Sequence, residues 1–164
     1  MNPSLEIRPA KKSDEDALWA VIEPIIQAGG TYVFFPNSSK EKMMGYWLDE
    51  DKNTYIALME GKAVGTFYIK ANQPDLGDHV CNAGFMVDPG QKGRGIGRAL
   101  GSFALKEAKA LGFQAMQFNF VISTNHSAVS LWKSLDFQVI GELPDAYRHP
   151  VQGLVSVLIF YRKL

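Results

Sequence analysis

Cysteine is nearly missing. Cys81 stands alone in 164 residues, which excludes an internal disulfide and any zinc site built on several thiolates. No metal is expected. Charge of one sign is not in surplus either, since 17 Lys and Arg balance 17 Asp and Glu. Domains that grip nucleic acid usually carry a clear basic excess, so no nucleic-acid partner is expected. No apolar run approaches the roughly 20 residues of a membrane helix, and no membrane association is expected. The opening Met1-Asn2-Pro3-Ser4-Leu5-Glu6 has no basic region followed by an apolar stretch. A secretion signal is therefore not expected, and the default location is cytoplasmic. Linkers, repeats and low-complexity tracts are absent as well. One scarcity is local: no Asp or Glu lies between His79 and Val87. What remains is an ordinary composition, 46% hydrophobic and 21% charged, which suits a single domain over residues 1–164.

Read in order, Leu5 to Pro9 is a strand candidate. Ser13 lies three residues before Asp16, as a capping box would start a helix. That helix runs to about Ile22, with Ala17, Leu18, Val21, Ile22 and Ile25 on its apolar face and Pro24 ending or kinking it. Gln27 to Pro36 is aromatic yet bracketed by glycine and proline, so it reads as a loop. Its aromatics need something to pack on. One reading is a pocket wall with Tyr32 facing a substrate; the other is a loop closing over the core. Ser38 and Glu41 repeat the capping pattern before a helix over about Lys40 to Leu48. Thr54–Met59, a Glu60-Gly61-Lys62 turn and Ala63–Lys70 form a hairpin. Further strands are expected at Val80–Val87, Ala115–Ile122, Phe137–Gly141 and Val155–Phe160, with helices at Gly97–Leu111 and Asn125–Leu135. This order predicts an α/β fold: a single mixed sheet of six or seven strands with helices on both faces.

The strand ending at Val87 and the helix after it are joined by a stretch with glycines at 90, 93, 95 and 97 and basic residues at 92, 94 and 98. A strand, a glycine-rich loop and a helix start make a phosphate cradle. Glycine lets backbone N–H groups converge, and the first helical turn offers unpaired N–H groups at the positive end of the helix dipole. A P-loop is excluded, because Gly97 is followed by Arg98 and Ala99 rather than by Lys and a hydroxyl residue. The dinucleotide fingerprint fails too, since its third glycine would fall at Arg98. A glycine-rich turn without a ligand is the plainer alternative.

The order Val87-x-Pro89, then Lys92-x-x-Gly95-x-Gly97, resembles the acetyl-CoA loop of the GCN5-related N-acetyltransferases (GNAT), which usually have Gln or Arg where Lys92 stands. About 30 residues on, Asn125-x-x-Ala128-x-x-Leu131-Trp132-x-x-x-Asp136-Phe137 resembles that family's second recurrent segment. The resemblance implies the GNAT fold, acetyl-CoA as cofactor, and cofactor contacts from Met86, Val87, Lys92, Gly93, Arg94, Gly95, Ile96, Gly97 and Arg98. It also implies that Asn125 lies near the pantetheine arm. The family commonly has a Tyr where this chain has Trp132, and that Tyr donates a proton to the leaving thiolate. An indole N–H is far too weak an acid for this, so Trp132 is read as packing beside the cofactor. The family often forms dimers, so a homodimer is the assembly it implies.

Several shorter strings are similar to one subgroup, the fungal acetyltransferases of proline analogues such as azetidine-2-carboxylate. They are Gly65–Lys70, Cys81–Phe85, Phe118–Val121 and Thr124-Asn125, with looser matches at Gly30-Thr31-Tyr32 and Tyr46-Trp47. Asn82 and Asn119 fall on two strands expected to be neighbours. Two convergent amides can hold a carboxylate and a ring nitrogen without adding charge, and buried amides need partners. Asn82 and Phe85 would share a face only through a bulge, for which Gly84 is the candidate; the bulge would also free an N–H to polarise the thioester carbonyl. The expected function is therefore acetyl-CoA-dependent N-acetylation of a small-molecule amine, a proline-like imino acid first, by direct attack. Asn82, Asn119 and Asn125 are the catalytic candidates, and Tyr32, Asn82, Phe85 and Asn119 the substrate-binding ones. Alternatives are another small amine, a protein N-terminus, a silent acyl-CoA-binding module, or Cys81 as an acyl-carrying nucleophile.

Overall fold

Glu60 and Gly61 both sit at positive φ, 52° and 75°, the signature of a two-residue turn whose twist matches its flanking strands. It joins β2 (Asn53–Met59) to β3 (Lys62–Ala71), and the rest of the sheet is laid on this hairpin. In a computed structural model that describes residues 4–164, β1 is Leu5–Pro9, α1 Glu15–Ala28, α2 Lys40–Trp47, β4 Val80–Val87 and α3 Ile96–Ala110. They are followed by β5 (Ala115–Ile122), α4 (His126–Ser134), β6 (Gln138–His149) and β7 (Gly153–Lys163). Met1, Asn2 and Pro3, which open the stretch read for a secretion signal, lie outside the described residues. One seven-stranded sheet runs in the order β1-β2-β3-β4-β5-β7-β6. No helix among the described residues is long and apolar enough to cross a membrane.

All neighbouring pairs are antiparallel except β4 and β5. These two run parallel, and their pairing is confined to Val80 with Ala115 and Cys81 with Met116. Beyond that point the strands part, and Asn82 Nδ2 donates across the opening to the Gln117 carbonyl at 3.0 Å. The cleft described below lies at this split.

The helices lie on both faces, as expected. On one, Leu18, Ile22 and Ile26 of α1 and Met43 and Trp47 of α2 pack on Ile56, Tyr68 and Met86. On the other, Leu100, Ala104 and Ala108 of α3 and Trp132 of α4 pack on Phe67, Phe118 and Phe160. Gly101 sets the spacing of α3 and α4, because a Cβ there would come within 2.6 Å of Leu135 Cδ1 and 3.1 Å of Trp132 Cζ3. A buried chain of hydrogen bonds fixes α2 on the hairpin. Trp47 Nε1 donates to Thr66 Oγ1 at 2.9 Å, Thr66 Oγ1 to the Tyr55 carbonyl at 2.7 Å, and Thr54 Oγ1 to the Trp47 carbonyl at 2.6 Å.

Five local expectations change. Helix α1 passes through Pro24 to Ala28; Pro24 and Ala20, whose carbonyl it leaves without its helical partner, lie on the exposed side, open to solvent. Its start is held by Asp14 rather than Ser13: Asp14 Oδ2 accepts from the Lys11 N–H at 2.7 Å and both its oxygens take Arg8 at 2.8 Å. The cap of α2 is Ser39, one residue after the expected Ser38. Strands β6 and β7 are far longer than expected, because register shifts near Gly141 and between Leu143 and Tyr147 break the alternation that would reveal them. No bulge exists at Gly84: β3 and β4 pair without a shift from Gly65–Val87 to Ala71–Cys81. Gly84 is needed for another reason, since a Cβ there would meet the Tyr68 ring at 2.6 Å.

Candidate active site

The loop after β4 is built to leave donors free. Asp88 folds back to accept the Gly90 N–H at 2.9 Å, which starts a single 3₁₀ turn over Pro89–Gln91. Gly93 and Gly95 then take φ of 81° and 77°, a region where a side chain is strained. Gly95 is the N-cap of α3. Among the described residues, the N–H groups of Gly93 and Gly95 have no hydrogen-bond partner, and the first turn of α3 adds more unpaired N–H groups. A Cβ at either glycine would meet nothing within 4 Å. The space in front of the loop is thus open, lined by amides and at the positive end of a 15-residue helix. These residues fit a diphosphate. Lys92, Gly93, Gly95, Ile96 and Gly97 line the cleft. Arg94 and Arg98 do not: Arg94 Nη1 turns back to Gln91 Oε1 at 2.5 Å and Arg98 Nη2 reaches Ser134 Oγ at 2.8 Å.

The cleft has a volume of about 640 Å³ and runs from this loop through the β4–β5 split to the loop after α1. Met86 and Val87 form its wall at the end of β4, and Met86 is buried against α1 and α2. Asn125 caps α4 by accepting the Ala128 N–H at 3.3 Å and lines the cleft midway. Trp132 is buried, 6% exposed, with its ring 4.8 Å from Phe85 and 4.5 Å from Phe118, centroid to centroid. It packs within this aromatic layer and also lines the cleft. Phe85 belongs to the same layer, between Phe67 and Trp132. With no bulge, Asn82, Gly84 and Met86 face α1 and α2 while Phe85 faces α3 and α4. The cleft cuts between the two faces, so both Asn82 and Phe85 line it.

Asn119 also lines the cleft, and the register shift of β5 between Phe118 and Val121 exposes it. Its Oδ1 accepts from Gln117 Nε2 at 2.9 Å and its Nδ2 donates to Asn72 Oδ1 at 2.7 Å. Tyr32 lines the cleft and donates its hydroxyl to the Phe85 carbonyl at 2.9 Å. Burial pushes the Tyr32 phenol well above its ordinary range, so it stays neutral. The loop that carries it is pinned by a residue that sequence reasoning missed. The Tyr147 hydroxyl accepts the Gly30 N–H at 3.0 Å and donates to the Tyr32 carbonyl at 3.1 Å. Tyr46 and Tyr68, whose hydroxyls lie 3.1 Å apart, were missed too. Asp88 is the one acidic residue in the lining, and it is occupied by Gly90. Cys81 is fully buried, outside the lining, and its thiol is pushed up to about 12 by burial, which argues against a nucleophile.

The model of the Acetyltransferase (GNAT) family matches residues 19–137 of the chain. The chain belongs to the GNAT acetyltransferases. Its fold is theirs throughout: a GNAT from Kribbella flavida superposes with a TM-score of 0.92 at 37% identity, covering 98% of both chains. A phosphinothricin acetyltransferase from Sinorhizobium meliloti, solved in complex with AcCoA, superposes at 0.84 with 20% identity over 98% of this chain and 88% of its own. Among curated proteins, N-acetyltransferase aca1 of Schizosaccharomyces pombe is 42% identical over 98 residues, 59% of this GNAT chain and 47% of that protein. The match therefore spans less than half of the yeast relative.

Proposed function

We propose that this GNAT enzyme transfers the acetyl group of acetyl-CoA to the nitrogen of a small-molecule amine, with a proline-like cyclic imino acid as acceptor. One observation carries the reading. The strings similar to the proline-analogue acetyltransferases are scattered along the sequence, yet residues from each of them line one cleft: Tyr32, Tyr46, Tyr68, Asn82, Phe85, Phe118, Asn119 and Asn125. The identity to the fission-yeast N-acetyltransferase supports the same direction.

Acetyl-CoA would supply the acetyl group as an activated thioester. The amides of Gly93, Gly95 and Gly97, with Lys92, would hold its diphosphate, and Asn125 would lie along its arm. Asn82 has one N–H of Nδ2 committed to Gln117, which leaves its second N–H and Oδ1 for the acceptor. Asn119 keeps one proton of Nδ2 for the acceptor. With no unoccupied carboxylate in the lining, the attacking amine gives its proton to water and attacks directly, forming the N–C bond as the C–S bond breaks. Trp132 cannot protonate the leaving sulfur, so solvent does.

The test is free-thiol release from acetyl-CoA with azetidine-2-carboxylate, cis-4-hydroxyproline, proline and several primary amines. Release with the cyclic imino acids alone is expected. Release with primary amines alone would discard the imino-acid acceptor and keep the transferase. Trp132 and the missing carboxylate favour one second reading, a silent acyl-CoA-binding module, which predicts cofactor binding without turnover on any amine. A homodimer and a cytoplasmic location belong to the same proposal. Support for the dimer comes from exposed apolar residues on β6 and β7, with Val139 and Leu143 41% exposed and Ile140 and Leu154 56% exposed. Sedimentation at micromolar concentration checks it.

A further inference from the structure

Two tyrosine hydroxyls in the cleft have a hydrogen-bond capacity that the chain does not use. Tyr46 and Tyr68 place their oxygens 3.1 Å apart. Each hydroxyl has one proton, so whichever donates to the other, the second proton is left over. The Tyr68 ring lies against Gly84 on the face of β4 that also carries Asn82, and both tyrosines line the cleft. Burial keeps the Tyr68 phenol neutral, hence a donor.

A buried, ion-paired cation lies behind the rings. Lys52 has a side chain only 3% exposed, and its Nζ sits 4.5 Å from the Tyr46 ring centroid and 5.6 Å from that of Tyr68. Lys52 and Lys70 share one carboxylate, Asp51, at 2.5 and 2.8 Å. Asp51 thus answers both ammonium groups, and of the two it is Lys52 that lies against the rings. A cation on a phenol ring draws electron density from the hydroxyl and makes it a stronger donor to an anion. The cleft lining offers a polycationic acceptor no free countercharge, since its one carboxylate, Asp88, is spent on the cofactor loop.

We propose that the Tyr46–Tyr68 hydroxyl pair, backed by Lys52, is the subsite that binds the carboxylate of the acceptor, so that the enzyme selects amines bearing a carboxylate. The inference rests on the small-amine acetyltransferase reading and adds a specificity element to it. Asn82 and Asn119 then serve the acceptor nitrogen.

The experiment measures calorimetric binding of two matched pairs to the CoA-saturated protein: azetidine-2-carboxylate against azetidine, and alanine against ethylamine. In the unmodified protein the carboxylate member of at least one pair should bind roughly tenfold or more tighter, the size of a hydrogen bond to a charged group. The double variant Tyr46→Phe/Tyr68→Phe removes both oxygens at once, so no orphaned hydroxyl remains and the rings still pack. It should lose that preference while CoA binding holds. Lys52→Met should weaken the preference with both hydroxyls in place, an effect that ring packing alone would not produce. Preference intact in the double variant would overturn the inference and put the carboxylate on Asn119. Indifference of the unmodified protein to the carboxylate, including no binding by any of the four, would overturn it as well. Preference for alanine alone would keep the subsite and discard the cyclic acceptor. Carboxylate preference with no thiol release from acetyl-CoA would sink the transferase reading and leave the subsite standing.

Discussion

Asn119 is held at both ends of its amide, by Gln117 and Asn72, so its remaining N–H has a fixed direction. Asn119→Ala should lower kcat/KM by about tenfold or more, the value of a hydrogen bond to a polar or charged partner, with acetyl-CoA affinity unchanged. Steady-state kinetics beside CoA calorimetry check this, and equal activity would remove Asn119 from the site. At this scale the sequence was legible where a residue type is costly to place without a purpose. Amides on central strands, glycines in a basic loop and an indole in place of a phenol all pointed to the cleft. Tyr147 was not legible, because its partners are backbone groups 117 and 115 residues away in sequence. Nothing in its neighbourhood marks it, since it sits after a register shift near a residue at positive φ, Asp145.

Among the elements, α1 and α3 each depend on a few residues at their starts. Arg8 holds the Asp14 carboxyl down to about 2 from the ordinary 3.8, tying β1 to the beginning of α1. A depressed carboxyl stabilises the fold above its unfolded value and loses that contribution as pH falls through its folded value. The contribution is therefore whole above about pH 4 and fades towards pH 2. Denaturant midpoints of the natural protein and Asp14→Asn should differ at pH 7 and converge at the acid end of that window; a constant gap would refute the linkage. At α3, Gly95→Ala should cost about 1 kcal/mol of stability, from the left-handed backbone alone. Its Cβ would meet nothing in the chain yet would stand in the cradle, so KM for acetyl-CoA should rise at least severalfold beyond what the stability loss explains. Element order and most boundaries were readable from periodicity and turn chemistry. The exceptions share a cause, in that a local rule was answered elsewhere. The carbonyl that Pro24 frees lies on the solvent side of the helix, and the Tyr68 ring, not a bulge, claims the space beside Gly84.

For the molecule as a whole, balanced charge and a single cysteine gave only expectations of absence, whereas the family signatures described the sheet. The split in that sheet was not legible, because no residue pattern encodes where two strands stop pairing. Its consequence concerns how the fold is held together in time. Two register pairs, the Asn82 amide and the Asn119–Asn72 and Gln114–His79 hydrogen bonds join the half of the sheet made by β1 to β4 to the half made by β5 to β7. Along the far stretch of β4, backbone groups that turn from β3 towards the gap have no ladder to enter. They should trade their protons with solvent far faster than those facing β3. A ligand seated along the gap would give them partners and would bridge the halves. Saturating CoA should therefore slow amide exchange in residues 82–87 and 117–121 together. Slowing confined to the glycine loop would show instead that the two halves breathe independently of what lies between them.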